Sequence, residues 1–304
     1  MPRSYRYLHY DVFTDRLFGG NPLAVFLDGR GLQGETMLAI AKEMNFSETT
    51  FVLPAERPDT DVRLRIFTPR AELPMAGHPT VGSAFALARS GVVTSERDRI
   101  VVGLGVGPTP VSLVWNGPDL AFVWMSQAPA TFGQPIGDRA GVAAMLGLSE
   151  VAVAGTGLPV QIVSCGVPFL LVPLATRAAV DNAALQIDRY ETFKHASKAG
   201  FTGIFLFSPE PGGDRASAYS RMFAPDAGIA EDPATGSASG PLGCYLVRHR
   251  VVPPHRAGSI LSLQGVKMGR TSAVHVSVGL DGEVVTAVRV GGEAALAGEG
   301  TLYV

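Results

Sequence analysis

Three polar side chains stand where proton transfer would need them: His78, Asp232 and Glu48. The first two head the copies of an internal repeat. Arg65-Ile-Phe-Thr-Pro-Arg-Ala71 matches Arg221-Met-Phe-Ala-Pro-Asp-Ala227 at four of seven positions. After spacers of six and four residues, His78-Pro-Thr-Val-Gly-Ser-Ala84 matches Asp232-Pro-Ala-Thr-Gly-Ser-Ala238, again at four of seven. The second blocks lie 154 residues apart, about half the chain. Each copy reads as a strand, a loop and a helix with Pro at its first position, where a missing N–H is harmless. His78 and Asp232 are then expected at the N-caps of two equivalent helices. Gly77, Gly82 and Gly236 allow close backbone approach, and the free N–H groups of each first turn can hold an anion such as a carboxylate. Facing lobes would bring both helix starts to one cleft, with His78 and Asp232 as a titratable pair across it. Glu48, in Asn45-Phe-Ser-Glu-Thr-Thr-Phe51, leads into an apolar strand. Burial there would raise its pKa into the range useful for general acid–base work.

The elements that must position these groups are mostly strands. Short β-branched or aromatic runs bounded by Gly and Pro recur along both halves, for example Val62 to Phe67, Val160 to Ser164 and Val284 to Val290. Helical patterns are fewer: Glu35 to Met44, Pro79 to Arg89, Arg139 to Leu146, Ala178 to Leu185 and Pro233 to Arg248. Many strands with few helices indicate an α+β protein, and the half-chain repeat indicates a duplicated lobe.

Composition narrows the classes of function. The chain has 304 residues, of which 46% are hydrophobic and 17% charged, against roughly 25% charged in an average soluble domain. That suits two packed lobes and excludes disorder. A net charge of −2 gives no broad reason to bind nucleic acid or an anionic membrane. The N-terminal segment lacks the apolar core of a signal peptide, and the apolar run Val167 to Leu174 is short and broken by Pro168 and Pro173. A cytoplasmic protein is expected. The two cysteines, Cys165 and Cys244, form no CxxC, and the six histidines show no metal-ligand spacing. Both thiols read as core residues. Gly103-Leu-Gly-Val-Gly107 has the wrong spacing for dinucleotide binding and runs into Pro108 and another strand. No GxSxG supports a serine hydrolase.

Together, Asp11-Val-Phe-Thr, Gly20-Asn-Pro-Leu-Ala-Val25, Asn45 to Phe51, Gly77-His-Pro-Thr80, Asp232 to Ser237, Gln264-Gly-Val-Lys-Met-Gly-Arg270 and Val290-Gly-Gly292 resemble the PhzF-like family of phenazine biosynthesis. The resemblance runs through the whole chain in order. It implies a diaminopimelate-epimerase-like fold, with two pseudo-symmetric lobes, each a barrel-like sheet around a central helix. Residues 1–126 would form the first lobe, completed by strands within 280–304, and 127–279 the second. It further implies an isomerase acting without metal or organic cofactor, commonly as a homodimer, on a small carboxylate-bearing substrate. The best-understood member isomerises trans-2,3-dihydro-3-hydroxyanthranilate. Its proton-carrying Glu and assisting His and Asp correspond to Glu48, His78 and Asp232, and its substrate-holding positions to Ser47, Gly77, Thr80, Gly236 and Ser237. Relatives in the wider superfamily use two cysteines at the starts of the central helices, and this chain has none there. A two-thiol racemisation is therefore not expected. The alternative is a small-acid binding or regulatory protein that keeps the trio without turnover.

Overall fold

The computed structural model describes residues 3–197 and 200–304. Eighteen strands among them join through hydrogen bonding into one continuous, strongly bent sheet. Two helices run through it, Gly77–Arg89 and Gly236–Arg248. Both are made largely of small and apolar residues and are buried on nearly every side. This is the pattern of a helix enclosed by strands, not of one lying on a surface. The first packs against the strands Ser4–Val12, Asn21–Phe26 and Asp119–Gln127. The second packs against Ser272–Asp281 and Val284–Gly292. Pro241 lies inside the second helix. Having no N–H, it leaves the Ser237 carbonyl without its helical donor.

The repeat read from the sequence is repeated in the structure, down to its side chains. Arg65 lies on the strand Val62–Phe67 and Arg221 on Ala218–Ala224. Each strand turns back through a short antiparallel strand, Glu72–Leu73 in one case and Ile229–Asp232 in the other. Arg65 grips Glu72 with two parallel hydrogen bonds of 2.8 and 2.6 Å, and Arg221 grips Glu231 with two of 2.8 Å. Each guanidinium also lies over the aromatic ring two residues on, at 5.1 Å from the Phe67 centroid and 4.9 Å from that of Phe223. Planar two-point pairing suits Arg and would not survive exchange for Lys. The surroundings differ in burial. Arg221 is nearly enclosed and also donates to the Val180, Asp181 and Ala183 carbonyls at the end of the helix Arg177–Asn182.

C-terminal strands return to the first half of the chain. Ala294–Tyr303 pairs antiparallel with Ser4–Val12, and Val284–Gly292 bridges Ser272–Asp281 to Asp119–Gln127. The expected central and flanking helices are present, with boundaries moved by one to three residues. Two more, Glu150–Ala154 and Ile187–Ser197, lack a clear apolar period in the sequence. The glycine-rich stretch 103–107 turns the hairpin between Arg99–Leu104 and Gly107–Asn116. No helix among the described residues is long and apolar enough to cross a membrane.

Candidate active site

Glu48 and Asn21 open two neighbouring parallel strands, Glu48–Pro54 and Asn21–Phe26, with Leu23 opposite Glu48 in the register. The connection between them is the helix Gly34–Met44. It stops because Asn45 takes a left-handed conformation (φ 52°), one that Asn tolerates better than most residues. Three residues later Glu48 begins the strand, with Ser47 just before it. That geometry carries the Glu48 carboxyl to the start of the first central helix.

The two central helices meet end to end. A Cβ added at Gly77 would lie 2.6 Å from the Gly236 Cα, and one added at Gly236 would lie 3.0 Å from the Gly77 Cα. Only hydrogen fits on either side of this contact. The first-turn N–H groups of both helices lack intrahelical acceptors, so two positive helix ends open on the same space. A cavity of about 390 Å³ lies there, lined by Glu48, Gly77, His78, Asp232, Gly236 and Ser237 among others. Its remaining wall is mainly apolar and includes Leu73, Met75, Val167, Phe169, Met222 and Ile229.

The structure brings Glu48, His78 and Asp232 together, but not as helix caps. Ala76 and Thr235 hold the N-cap positions. His78 is the second helical residue and Pro79 the third, while Asp232 and Pro233 precede the second helix altogether. The reason is visible around Asp232. It still pairs with Met222 in the sheet, and Gln264 Nε2 holds its carbonyl at 2.8 Å. The backbone thus stays extended until Thr235, whose N–H donates to Gln264 Oε1 at 3.0 Å. The Asp232 carboxylate accepts from Asn21 Nδ2 at 2.7 Å and from the Thr235 hydroxyl at 2.5 Å. Ser47 lies near enough to favour the charged form of Asp232 as well.

His78 Nε2 lies 3.3 Å from Glu48 Oε2. Neither atom has a well-aligned hydrogen-bond partner, and burial drives both groups towards neutrality. The Glu48 pKa is raised well above its usual 4.5 by burial and then by the Asp232 charge. Asp232 is pushed up to about 6 by burial, against the lowering effect of hydrogen bonds from Thr235 and Asn21 and of nearby Ser47. Burial lowers His78 to about 3. The pair is therefore a neutral imidazole beside a carboxyl group that holds its proton more firmly than usual, not an ion pair. A carboxylate of raised pKa suits proton abstraction from carbon, and its conjugate acid can return the proton.

Of the other expected residues, Gly77, Gly236 and Ser237 line the cavity and Ser47 reaches Asp232. Thr80 does not line it: wholly buried, its hydroxyl donates back to the Ala76 carbonyl at 2.8 Å. Sequence reasoning misses Asn21, Thr235 and Gln264 as site residues. Each lies inside one of the quoted motifs, which is the available signal, but nothing in their spacing shows that all three converge on Asp232. Cys165 and Cys244 are buried, free and close to each other in the core, and neither lines this cavity. That contact, with burial, raises the Cys165 pKa. Among the described residues, no group of three or more His, Cys, Asp or Glu is placed to hold a metal ion.

The sequence matches the family described as phenazine biosynthesis-like protein (PhzC-PhzF) over residues 10–300. The chain belongs to the PhzF family. It is 37% identical over 302 residues to trans-2,3-dihydro-3-hydroxyanthranilate isomerase of Pseudomonas aeruginosa, covering 98% of this chain and 99% of that one. A Bacillus anthracis phenazine biosynthesis protein of the PhzF family superposes with a TM-score of 0.86 at 27% identity, covering 99% and 100% of the two chains. The fold extends further, to a hydroxyproline epimerase of Agrobacterium vitis at TM-score 0.68 and 14% identity, over 100% of this chain and 94% of the other. The fold of this PhzF-family chain is thus the two-lobed α+β architecture that its internal repeat foreshadows.

Proposed function

We propose that this protein is an isomerase of the PhzF type that moves a proton within a small carboxylate-bearing ring substrate, with Glu48 as the proton carrier. The observation that carries the reading is Glu48 itself, buried, raised in pKa and set at the junction of two helix N-termini. The substrate carboxylate binds the free amides at Gly236 and Ser237, where the helix end favours an anion. Its ring rests on the apolar wall. Glu48 then takes a proton from a carbon, the ring electrons shift, and the same carboxyl returns the proton to another carbon of the ring. Atoms and charge balance without a further reactant. His78 and Asp232 hold the polar substituents while the charge moves. The relatives named as isomerases support this assignment.

Two further parts belong to the proposal. The lobe boundary falls near residue 127, with the strands after 280 completing the first lobe. The chain also pairs as a homodimer; sedimentation showing only monomer at micromolar concentration would remove that part.

The deciding experiment uses Glu48→Gln with trans-2,3-dihydro-3-hydroxyanthranilate and related cyclic acids. The amide cannot accept the proton, so turnover falls by about 10³-fold or more, while calorimetry shows carboxylate binding retained. Turnover near the wild-type rate in this variant would sink the assignment.

A further inference from the structure

Asn21 is wholly buried at the start of its strand. Its Nδ2 faces three acceptors at once: Asp232 Oδ1 at 2.7 Å, the Ala234 carbonyl at 2.9 Å and His78 Nδ1 at 3.1 Å. An amide nitrogen has two hydrogens to share among these three acceptors and no lone pair to accept with, so an N–H on His78 Nδ1 would find no acceptor here. The opposite amide orientation would put the Asn21 oxygen against the Asp232 and Ala234 oxygens, three acceptors with no proton among them. That orientation is closed, even though the one adopted leaves Asn21 Oδ1 buried without a partner. The nitrogen facing the imidazole is therefore a donor, and His78 Nδ1 must accept. A neutral imidazole accepting at Nδ1 carries its proton on Nε2, the atom 3.3 Å from Glu48 Oε2.

We propose that Asn21 is a positioning residue that holds His78 in the Nε2–H tautomer, so that the protonated nitrogen is the one 3.3 Å from Glu48 Oε2. The same amide joins two halves of the chain, because His78 leads the first central helix while Asp232 and Ala234 precede the second. In the other tautomer a lone pair on Nε2 would face the lone pairs of ionised Glu48. Asn21 thus lets Glu48 shed its proton beside a donor and not beside a repelling acceptor. The inference rests on the proposed role of this site in proton transfer, but the tautomer is a property of the resting protein.

The test is a long-range proton–nitrogen correlation spectrum of protein labelled in its histidine rings, with His78 assigned by its loss in His78→Gln. In the wild type at neutral pH, His78 shows a protonated Nε2 and a bare Nδ1. Asn21→Ala removes the donor and yields a mixture of tautomers, with kcat reduced about tenfold or more, equivalent to roughly 1.4 kcal/mol, and KM little changed. Asn21→Asp replaces the donor by an acceptor and moves the proton to Nδ1. A wild-type His78 protonated on Nδ1, or a pure Nε2–H form persisting in both variants, overturns the proposal. Because the nitrogen shifts are read without substrate, absence of turnover would count against the proposed reaction and not decide the tautomer.

Discussion

At the scale of single residues, the site holds charge-bearing groups under conditions that disfavour charge. Glu48 and Asp232 keep their protons to higher pH in the fold than in the unfolded chain. The folded state then binds more protons, and stability falls as pH rises from about 4 through the folded pKa values. His78 acts in the opposite sense. Its pKa drops from 6.5 to about 3, so its contribution is present above pH 6.5 and is lost as pH falls towards 3. Glu48→Gln removes one of the carboxyl contributions. Its melting temperature should exceed that of the wild type at pH 8, and the gap should close towards pH 4. For a chain of this size about 2 °C corresponds to 1 kcal/mol. A pH-independent gap in thermal denaturation would show that the Glu48 carboxyl is not raised by burial. Glu48 is readable from its motif, ahead of an apolar strand. Asn21 is not: an Asn after Gly20, which takes φ +60°, reads as turn chemistry, and its three partners come from elsewhere in the chain.

At the scale of elements, the decisive contact is between the tips of the two central helices. A methyl group at Gly77 would meet Gly236 Cα, Gly236 C and Ser237 N between 2.6 and 2.8 Å, all of them backbone atoms that cannot rotate away. Gly77→Ala must therefore part the helix ends, at a cost of about 1–3 kcal/mol in urea denaturation. It should also lower kcat, because Glu48, His78 and Ser237 are referred to those ends. At Gly258, by contrast, a methyl group would enter open space, with nothing within 4 Å, so Gly258→Ala should stay within roughly 0.5 kcal/mol of wild type. Equal effects of the two substitutions would deny the contact its importance. The repeat makes both helices legible in the sequence, yet their caps lie elsewhere than expected. Pro and Asp favour helix starts locally, but sheet pairing at Met222 and the grip of Gln264 hold Asp232 extended.

At the scale of the whole molecule, an ion pair between distant motifs closes the structure beside the site. Arg270 donates to Asp11 Oδ1 at 2.5 Å and to the Gly19 and Gly20 carbonyls at 2.6 and 2.9 Å. Asp11 is buried and also accepts from the Phe18 N–H. The loop at 13–20 leads straight into Asn21, so Arg270, which grips its last two carbonyls, braces the strand that carries the tautomer-setting amide. Arg270→Met leaves a buried carboxylate without its cation and should cost about 3 kcal/mol or more. Adding Asp11→Asn should recover part of that loss. Stability within about 1 kcal/mol of wild type in the single variant would mean that the clasp is only a surface contact.

Some properties follow from the sequence alone because they are local or periodic. The strand-rich α+β class, the duplication, the absence of thiols at the helix starts and the matching places of His78 and Asp232 in the repeat are of this kind. Short-range pattern sets them, and the repeat states the same rule twice. The tertiary structure decided which groups touch. That Asn21, Thr235 and Gln264 all serve Asp232, that Arg270 reaches Asp11 and that Thr80 turns away from the cavity depend on contacts across 3 to 259 residues of chain. The longest of those contacts form only when distant strands and both helix tips are brought together. Burial is the physical reason: it is a property of the assembled core, and it raises the pKa of Glu48 and keeps His78 neutral.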